Sequence, residues 1–157
     1  TASIPTEKFD FTVKFDFPEG TDKDTLGGVK DKDGKGVTIT NGETKFQLAH
    51  DENMKFTGLP VGTTITVTEA AKANYKASAK VTLNGVEQTA VAASKYNAAL
   101  TEVDQQKLGQ NKNTVDVTNR FNNVPTTGII MNTLPYVLMI ALCGAALFGF
   151  VAFKRRR

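Results

Sequence analysis

The chain has 157 residues, room for one domain of about 120 residues and a tail. Its net charge of +3 is local: 15 of the 19 basic residues and all 16 acids precede the last four positions, leaving that part at −1. A domain without a basic face excludes nucleic acid as a partner. The lone cysteine, Cys143, lies in the apolar tail, so the polar part can form no internal disulfide and no thiolate metal site. Ten Phe and no Trp point to a core built on Phe.

Lys8 to Phe17 alternates, with Phe9, Phe11, Val13, Phe15 and Phe17 on one face and Asp10, Thr12, Lys14 and Asp16 on the other. Period two over this length predicts a half-buried strand, and Pro18-Glu19-Gly20 ends it. A loop rich in Gly, Lys and Asp follows. Its Asp31-Lys32-Asp33-Gly34 has the start of a calcium loop, but the position where a closing Glu is required is Gly42, so a plain turn is the reading. Val37 to Thr40 is a short predicted strand, Asn41-Gly42 a two-residue hairpin turn, and Lys45 to Leu48 the returning strand. His50 falls in the next turn without carboxylate or thiol partners in sequence and is read as surface decoration. Met54-Lys55-Phe56 leads into a turn over Gly58-Leu59-Pro60-Val61-Gly62. Thr63 to Glu69 alternates again, with Ile65, Val67 and Glu69 inward. Tyr75 to Leu83 is a strand closed by Asn84-Gly85, and Val86 to Ala92 pairs back on it. The stretch from Ala93 to Asn113 is open between a short helix and a crossing loop. Val115 to Phe121 is the last strand, with Val115, Val117, Asn119 and Phe121 on one face. Short strands punctuated by turns predict an antiparallel β-sandwich over residues 1–122.

The tail has a different character. From Leu134 to Phe153 there is no charge, and Lys154-Arg155-Arg156-Arg157 follows. As a helix that run spans roughly 30 Å, the thickness of a hydrocarbon core. The expectation is a linker over 123–128, a single transmembrane helix over 129–153 and a basic tail over 154–157 on the cytoplasmic side. The chain opens at Thr1 without an export signal, which is read as a processed form or a fragment of a longer protein, the fragment being preferred.

Two polar residues, Glu69 and Asn119, fall on inward faces. A buried carboxylate without a partner is expensive and tends to take up a proton; the bland alternative places each at a strand end near solvent. The segments F-D-F-T-V-K-F, G-L-P-V-G-T-T-I-T-V-T-E (Gly58 to Glu69) and V-T-N-R-F (Val117 to Phe121) resemble the Ig-like (CnaB-like) isopeptide domains of Gram-positive pilins and surface adhesins, the streptococcal pilin type most closely. That resemblance implies a Lys–Asn amide formed without an enzyme, with Asn119 as acceptor and Glu69 as the assisting acid. The amine must be neutral and the Glu protonated, and burial favours both. Lys8 and Lys14 share the outward face of their strand and cannot reach an inward Asn119. Relatives of this type carry the reactive Lys on a strand before the F-x-F-x-V segment, so here it is expected upstream of Thr1.

Val124-Pro125-Thr126-Thr127-Gly128 resembles the L-P-x-T-G motif cut by sortases, with Val in place of Leu. Pro125 keeps the preceding residue extended, Thr127 supplies the carbonyl that a sortase attacks, and Gly128 leaves that attack unhindered. Cleavage between Thr127 and Gly128 would pass the acyl group to a peptidoglycan crossbridge or to a neighbouring pilin subunit. The resemblance implies a structural, non-enzymatic surface protein. Its expected location is the cell wall, after a membrane-held precursor. Its partners are a sortase and the wall or other subunits, and no cofactor or metal is implied. The alternative is the stalk of a wall-anchored adhesin whose ligand-binding region lies upstream; a surface enzyme using this domain only as an anchor is a third class. No pilin-type Lys motif is evident in the sequence.

Overall fold

The computed structural model describes residues 7–21, 28–122 and 135–144. These residues form ten strands and no helix: β1 (Lys8–Asp16), β2 (Glu43–Ala49), β3 (Asn53–Leu59), β4 (Thr64–Glu69), β5 (Tyr75–Leu83), β6 (Val86–Glu87), β7 (Val91–Ala92), β8 (Leu100–Lys107), β9 (Thr114–Phe121) and β10 (Tyr136–Gly144). One sheet has the order β2-β1-β4-β8; the other runs β3-β10-β9-β5-β6, with β7 also on β5. The two sheets enclose one core, so the described residues are all-β and consistent with the expected sandwich.

The core follows from strand parity. Phe9, Phe11, Val13 and Phe15 of β1 are buried, while Lys8, Asp10, Lys14 and Asp16 between them are exposed. They meet Phe56 and Leu59 of β3, Ile65 and Val67 of β4, and Val115 and Val117 of β9. Phe15 and Phe56 pack edge to face with ring centres 5.4 Å apart, an arrangement worth about 1 kcal/mol beyond area burial. Asn41-Gly42 and Asn84-Gly85 all have positive φ, 54° and 82° in the first pair and 53° and 82° in the second, as the hairpin reading requires. Gly58 of β3, at φ 83°, is also constrained: a Cβ there would stand 2.3 Å from the Gly28 carbonyl oxygen.

Three expectations are corrected. Val37 to Thr40 forms no strand; Val37 N–H bonds Val29 O at 2.9 Å, Thr40 makes an isolated bridge to Glu43, and β2 pairs with β1 instead. The open stretch from Ala93 to Asn113 contains β8, paired with β4. Its register shifts twice, between Ile65 and Val67 and between Val67 and Glu69, and Gln105 has φ 50°. Such bulges interrupt the two-residue period, so Leu100 and Val103 are buried at a spacing of three and the strand is invisible to a search for alternation.

The third correction concerns the expected C-terminal transmembrane helix over 129–153. Residues 136–144 of that run are a strand, and among the described residues no helix is long and apolar enough to cross a membrane. β10 lies between β9, antiparallel, and β3, parallel. Tyr136, Leu138, Ile140 and Leu142 are buried in the core, whereas Val137, Met139, Ala141 and Cys143 face outward. An apolar run carries no periodicity that distinguishes a span from a strand buried in a sheet. Here the slot between β3 and β9 supplies unpaired backbone groups on both sides and a core face that an apolar strand satisfies. Each of Leu138, Ile140 and Leu142 contributes about 1.5–3 kcal/mol by leaving water.

Ile140→Ala is therefore expected to lower the unfolding free energy by about 2–5 kcal/mol. The amides of β10 should exchange hydrogen as slowly as those of Val115 and Val117. Denaturant titration and amide exchange check this; an unchanged midpoint with fast exchange over 136–144 would show that the strand lies outside the cooperative core.

Candidate functional site

Glu69 ends β4 and Asn119 lies near the end of β9, so they come from opposite sheets. Glu69 is flanked by Phe11 of β1 and Leu100 of β8; Asn119 is flanked by Ala77 of β5 and Tyr136 of β10. Parity points both side chains into the sandwich, and they meet there. Asn119 Nδ2 donates to Glu69 Oε2 at 2.7 Å, with the residues 2 % and 1 % exposed. Neither is a strand-end residue relaxed into solvent.

Burial raises the Glu69 pKa from 4.5 to about 7, against the lowering effects of the Asn119 hydrogen bond and of Lys72. At neutral pH the carboxyl group is thus poised between its two forms, the condition under which a general acid–base group is most effective. Glu69 Oε1 is buried and has no hydrogen-bond partner, so the pair is satisfied on one side only. Lys72 is the cation that Glu69 feels, but its ammonium is engaged elsewhere, 3.0 Å from Glu7 Oε1 and 5.4 Å from the centre of the Phe9 ring.

Aromatic residues close this end of the sandwich. Phe9 packs against Tyr75 and Tyr136 at 5.2 and 5.3 Å between ring centres, and Tyr75 against Phe121 at 5.3 Å. Tyr75 and Tyr136 pack edge to face with ring centres 5.6 Å apart, and burial holds the Tyr75 hydroxyl above its usual pKa. The cluster excludes water from the carboxyl–amide pair, which strengthens electrostatic interactions within it.

His50 is more than surface decoration. Its Nδ1 accepts the Val137 N–H at 3.1 Å, and its ring packs edge to face on Tyr136 at 5.7 Å. With the Asp51 N–H donating to Val137 O at 2.8 Å, it holds the start of β10. At the other end Asn113, which sequence reasoning missed, receives the N–H groups of Asn84 and Gly109 and donates to the carbonyls of Gly109 and Leu142. Tyr136 falls within the run expected to span a membrane and instead begins β10. Its placement opposite Asn119 became visible only through strand pairing. Lys8 and Lys14 point away from the pair, as parity requires. Asp31 Oδ1 accepts the N–H groups of Asp33 and Lys35 and so closes its own turn. Among the described residues no group of three or more His, Cys, Asp or Glu is placed to hold a metal ion. The motif Val124-Pro125-Thr126-Thr127-Gly128 lies outside the described residues.

The sequence matches the domain of unknown function DUF7601 over residues 2–121, and the chain belongs to that family. No curated protein matches it.

A raised Glu69 pKa means that the folded state holds this proton more tightly than the unfolded chain does. Its contribution to stability is complete below about pH 4.5, declines as the pH rises, and levels off above about pH 7. Glu69→Gln keeps the shape and removes the titration. The variant is expected to lose a pH-dependent destabilisation on the order of 3 kcal/mol between pH 4.5 and 8. Denaturant titrations of both proteins across this range read the difference directly; parallel curves would place the Glu69 pKa near its ordinary value.

Proposed function

We propose that this chain is the C-terminal part of a sortase-processed structural subunit of a Gram-positive cell surface, of pilin type, built on an Ig-like sandwich that closes by a single-turnover amide bond. The observation that carries this reading is the Glu69–Asn119 pair, a carboxyl and a carboxamide in contact at 2.7 Å within the apolar core. Such a pair has little value as a stabiliser, because two apolar residues of the same shape would pack there without a desolvation cost. It has a clear chemical use.

A neutral lysine amine beside Asn119 attacks Cγ of the side-chain amide. Protonated Glu69 polarises the carbonyl and then carries a proton from the amine to the departing nitrogen. The Nζ–Cγ bond forms, the Cγ–Nδ2 bond breaks and ammonia leaves. The low-dielectric surroundings favour the neutral amine and the protonated acid alike. Lys8 and Lys14 are exposed and do not face Asn119. The bond would replace the disulfide that the cysteine-free polar part cannot make.

The sorting reading rests on the motif at Val124, Pro125, Thr126, Thr127 and Gly128, with the uncharged run and basic tail that follow. A sortase cysteine attacks the Thr127 carbonyl, Gly128 onward departs, and the acyl group passes to the wall or to the next subunit. In the precursor, membrane contact of the uncharged run is a state in which β10 has left the sheet, since residues 136–144 cannot be in both places.

Intact mass measures the crosslink. Chain 1–157 is expected to keep its full mass, and the chain extended upstream to lose one ammonia. Asn119→Ala in the extended chain should retain it. Loss of ammonia from 1–157 would assign the amine to a lysine within these residues. Denaturing gels of wall extracts separate the two surface readings: a ladder supports the pilin subunit, a single band the adhesin stalk.

A further inference from the structure

The sequence holds the dipeptide Asn-Gly twice, at Asn41-Gly42 and Asn84-Gly85. The two turns have nearly the same backbone, with φ 54° and 82° in the first and 53° and 82° in the second, and both asparagines are exposed. Their surroundings differ. Asn84 Oδ1 accepts the Asn111 N–H at 3.0 Å, the Asn84 N–H donates to Asn113 Oδ1 at 2.9 Å, and the Gly85 N–H donates to Lys112 O at 2.8 Å. The Asn84 side chain also packs on Gly109, where a Cβ would stand 2.4 Å from it. Behind that turn the ladder continues through Leu83–Val86 and Thr82–Glu87. At Asn41-Gly42 neither the carboxamide nor the Gly42 N–H has a hydrogen-bond partner among the described residues. That turn is closed by one bridge, in which Thr40 and Glu43 exchange two bonds of 2.9 Å, and by the Phe15 N–H on Gly42 O at 2.8 Å. Past Thr40 the chain leaves β2, because Val37 bonds Val29 instead.

We infer that Asn41 is a self-modification site: Gly42 converts it to a mixture of aspartate and isoaspartate in the folded protein, whereas the turn around Asn84 protects it from the same reaction. The Gly42 nitrogen gives up its proton to water or hydroxide and attacks Asn41 Cγ. The N–Cγ bond forms, Cγ–Nδ2 breaks, and Nδ2 leaves as ammonia with a proton from water. Water then opens the resulting cyclic imide. Opening at the N–Cγ bond gives aspartate. Opening at the bond to the Asn41 main-chain carbonyl gives isoaspartate, with an extra methylene in the main chain. Each conversion consumes one water and releases one ammonia. Glycine favours the attack because a residue without Cβ leaves its nitrogen unhindered. The reacting geometry requires the turn to open locally, and the bonds that close a turn set the cost of opening it. An unbonded nitrogen and an unbonded carboxamide reach that geometry sooner than groups that must first break three hydrogen bonds. The step uses neither Glu69 nor Asn119 and is independent of the crosslink.

Asn41 lies in the wall of a cleft of about 540 Å³ between residues 37–40 and β2, with Phe46 and Phe56 beside it and Asp31, Glu43 and Lys45 as its charged neighbours. Isoaspartate lengthens the main chain of a two-residue turn whose length is matched to its geometry. Conversion therefore loosens the lip of this cleft and places a new carboxylate there.

The test incubates the full chain at neutral and mildly alkaline pH in heavy-oxygen water, then digests it with trypsin in ordinary water, so that the label marks only conversion during incubation. Peptides 36–45 and 81–95 report the two sites. Peptide 36–45 is expected to exchange its amide for a labelled carboxylate, at a rate that rises with pH, and to contain isoaspartate by electron-transfer fragmentation. Peptide 81–95 is expected to convert at least about tenfold more slowly. In denaturant, where both turns are lost, the two rates should converge. Equal rates in the folded chain would overturn the inference. So would a folded chain in which 36–45 stays unconverted while the denatured chain converts. Aspartate without isoaspartate would overturn the imide route, since direct hydrolysis of the side chain leaves the main chain intact. In the converted fraction the Phe15 amide, which bonds Gly42 O, should exchange hydrogen faster than in the parent; an unchanged rate would overturn the loosening of the cleft.

Discussion

Burial of the Glu69 carboxyl between two apolar sheets is the constraint on which this end of the domain depends. An ionised carboxylate there would cost several kcal/mol, so the group holds its proton to about pH 7 and meets the Asn119 amide at 2.7 Å. The neighbouring elements serve that condition. Phe9, Tyr75, Tyr136 and Phe121 keep water out, and Lys72 is drawn aside by Glu7. A half-satisfied polar pair in an apolar core is costly as architecture.

The second constraint is competition for one apolar segment. The side chains that suit a bilayer also suit the core face of a sheet, because both environments reward removal from water and both demand that backbone N–H and C=O groups be paired. As a strand, the segment is paired on both edges, by β3 and β9, and its ends are held by His50 and Asn113. Insertion in a membrane would give up those bonds and open the core. Residues 136–144 therefore cannot complete the second sheet and cross a bilayer at the same time.

The turns help to hold this arrangement in register. Gly58 admits the backbone of Gly28 where no side chain fits, and Asn84-Gly85 turns β5 into β6. Asn113 ties the loop at Gly109, the hairpin at Asn84 and the strand at Leu142 into one unit. Register matters because a slip of one residue on β4 or β9 would turn Glu69 or Asn119 out of the core.

Much of the domain was legible in the chain. The alternation around Phe9 to Phe15, Ile65 to Glu69 and Val115 to Asn119 determined the strands and the inward faces. The same alternation marked Glu69 and Asn119 as the polar exceptions, since side-chain direction in a strand is set by parity alone. Where parity was broken or absent, the sequence was silent or misleading. Bulges hid β8, and the uniform apolarity of residues 136–144 fitted a helical span as well as a buried strand. Only the tertiary structure decided that the two polar side chains meet, that one carboxyl oxygen is left without a partner, and that Tyr136 stands opposite Asn119. These facts depend on pairing between residues far apart in sequence, and pairing is fixed by the packing of both sheets together, which no local pattern encodes.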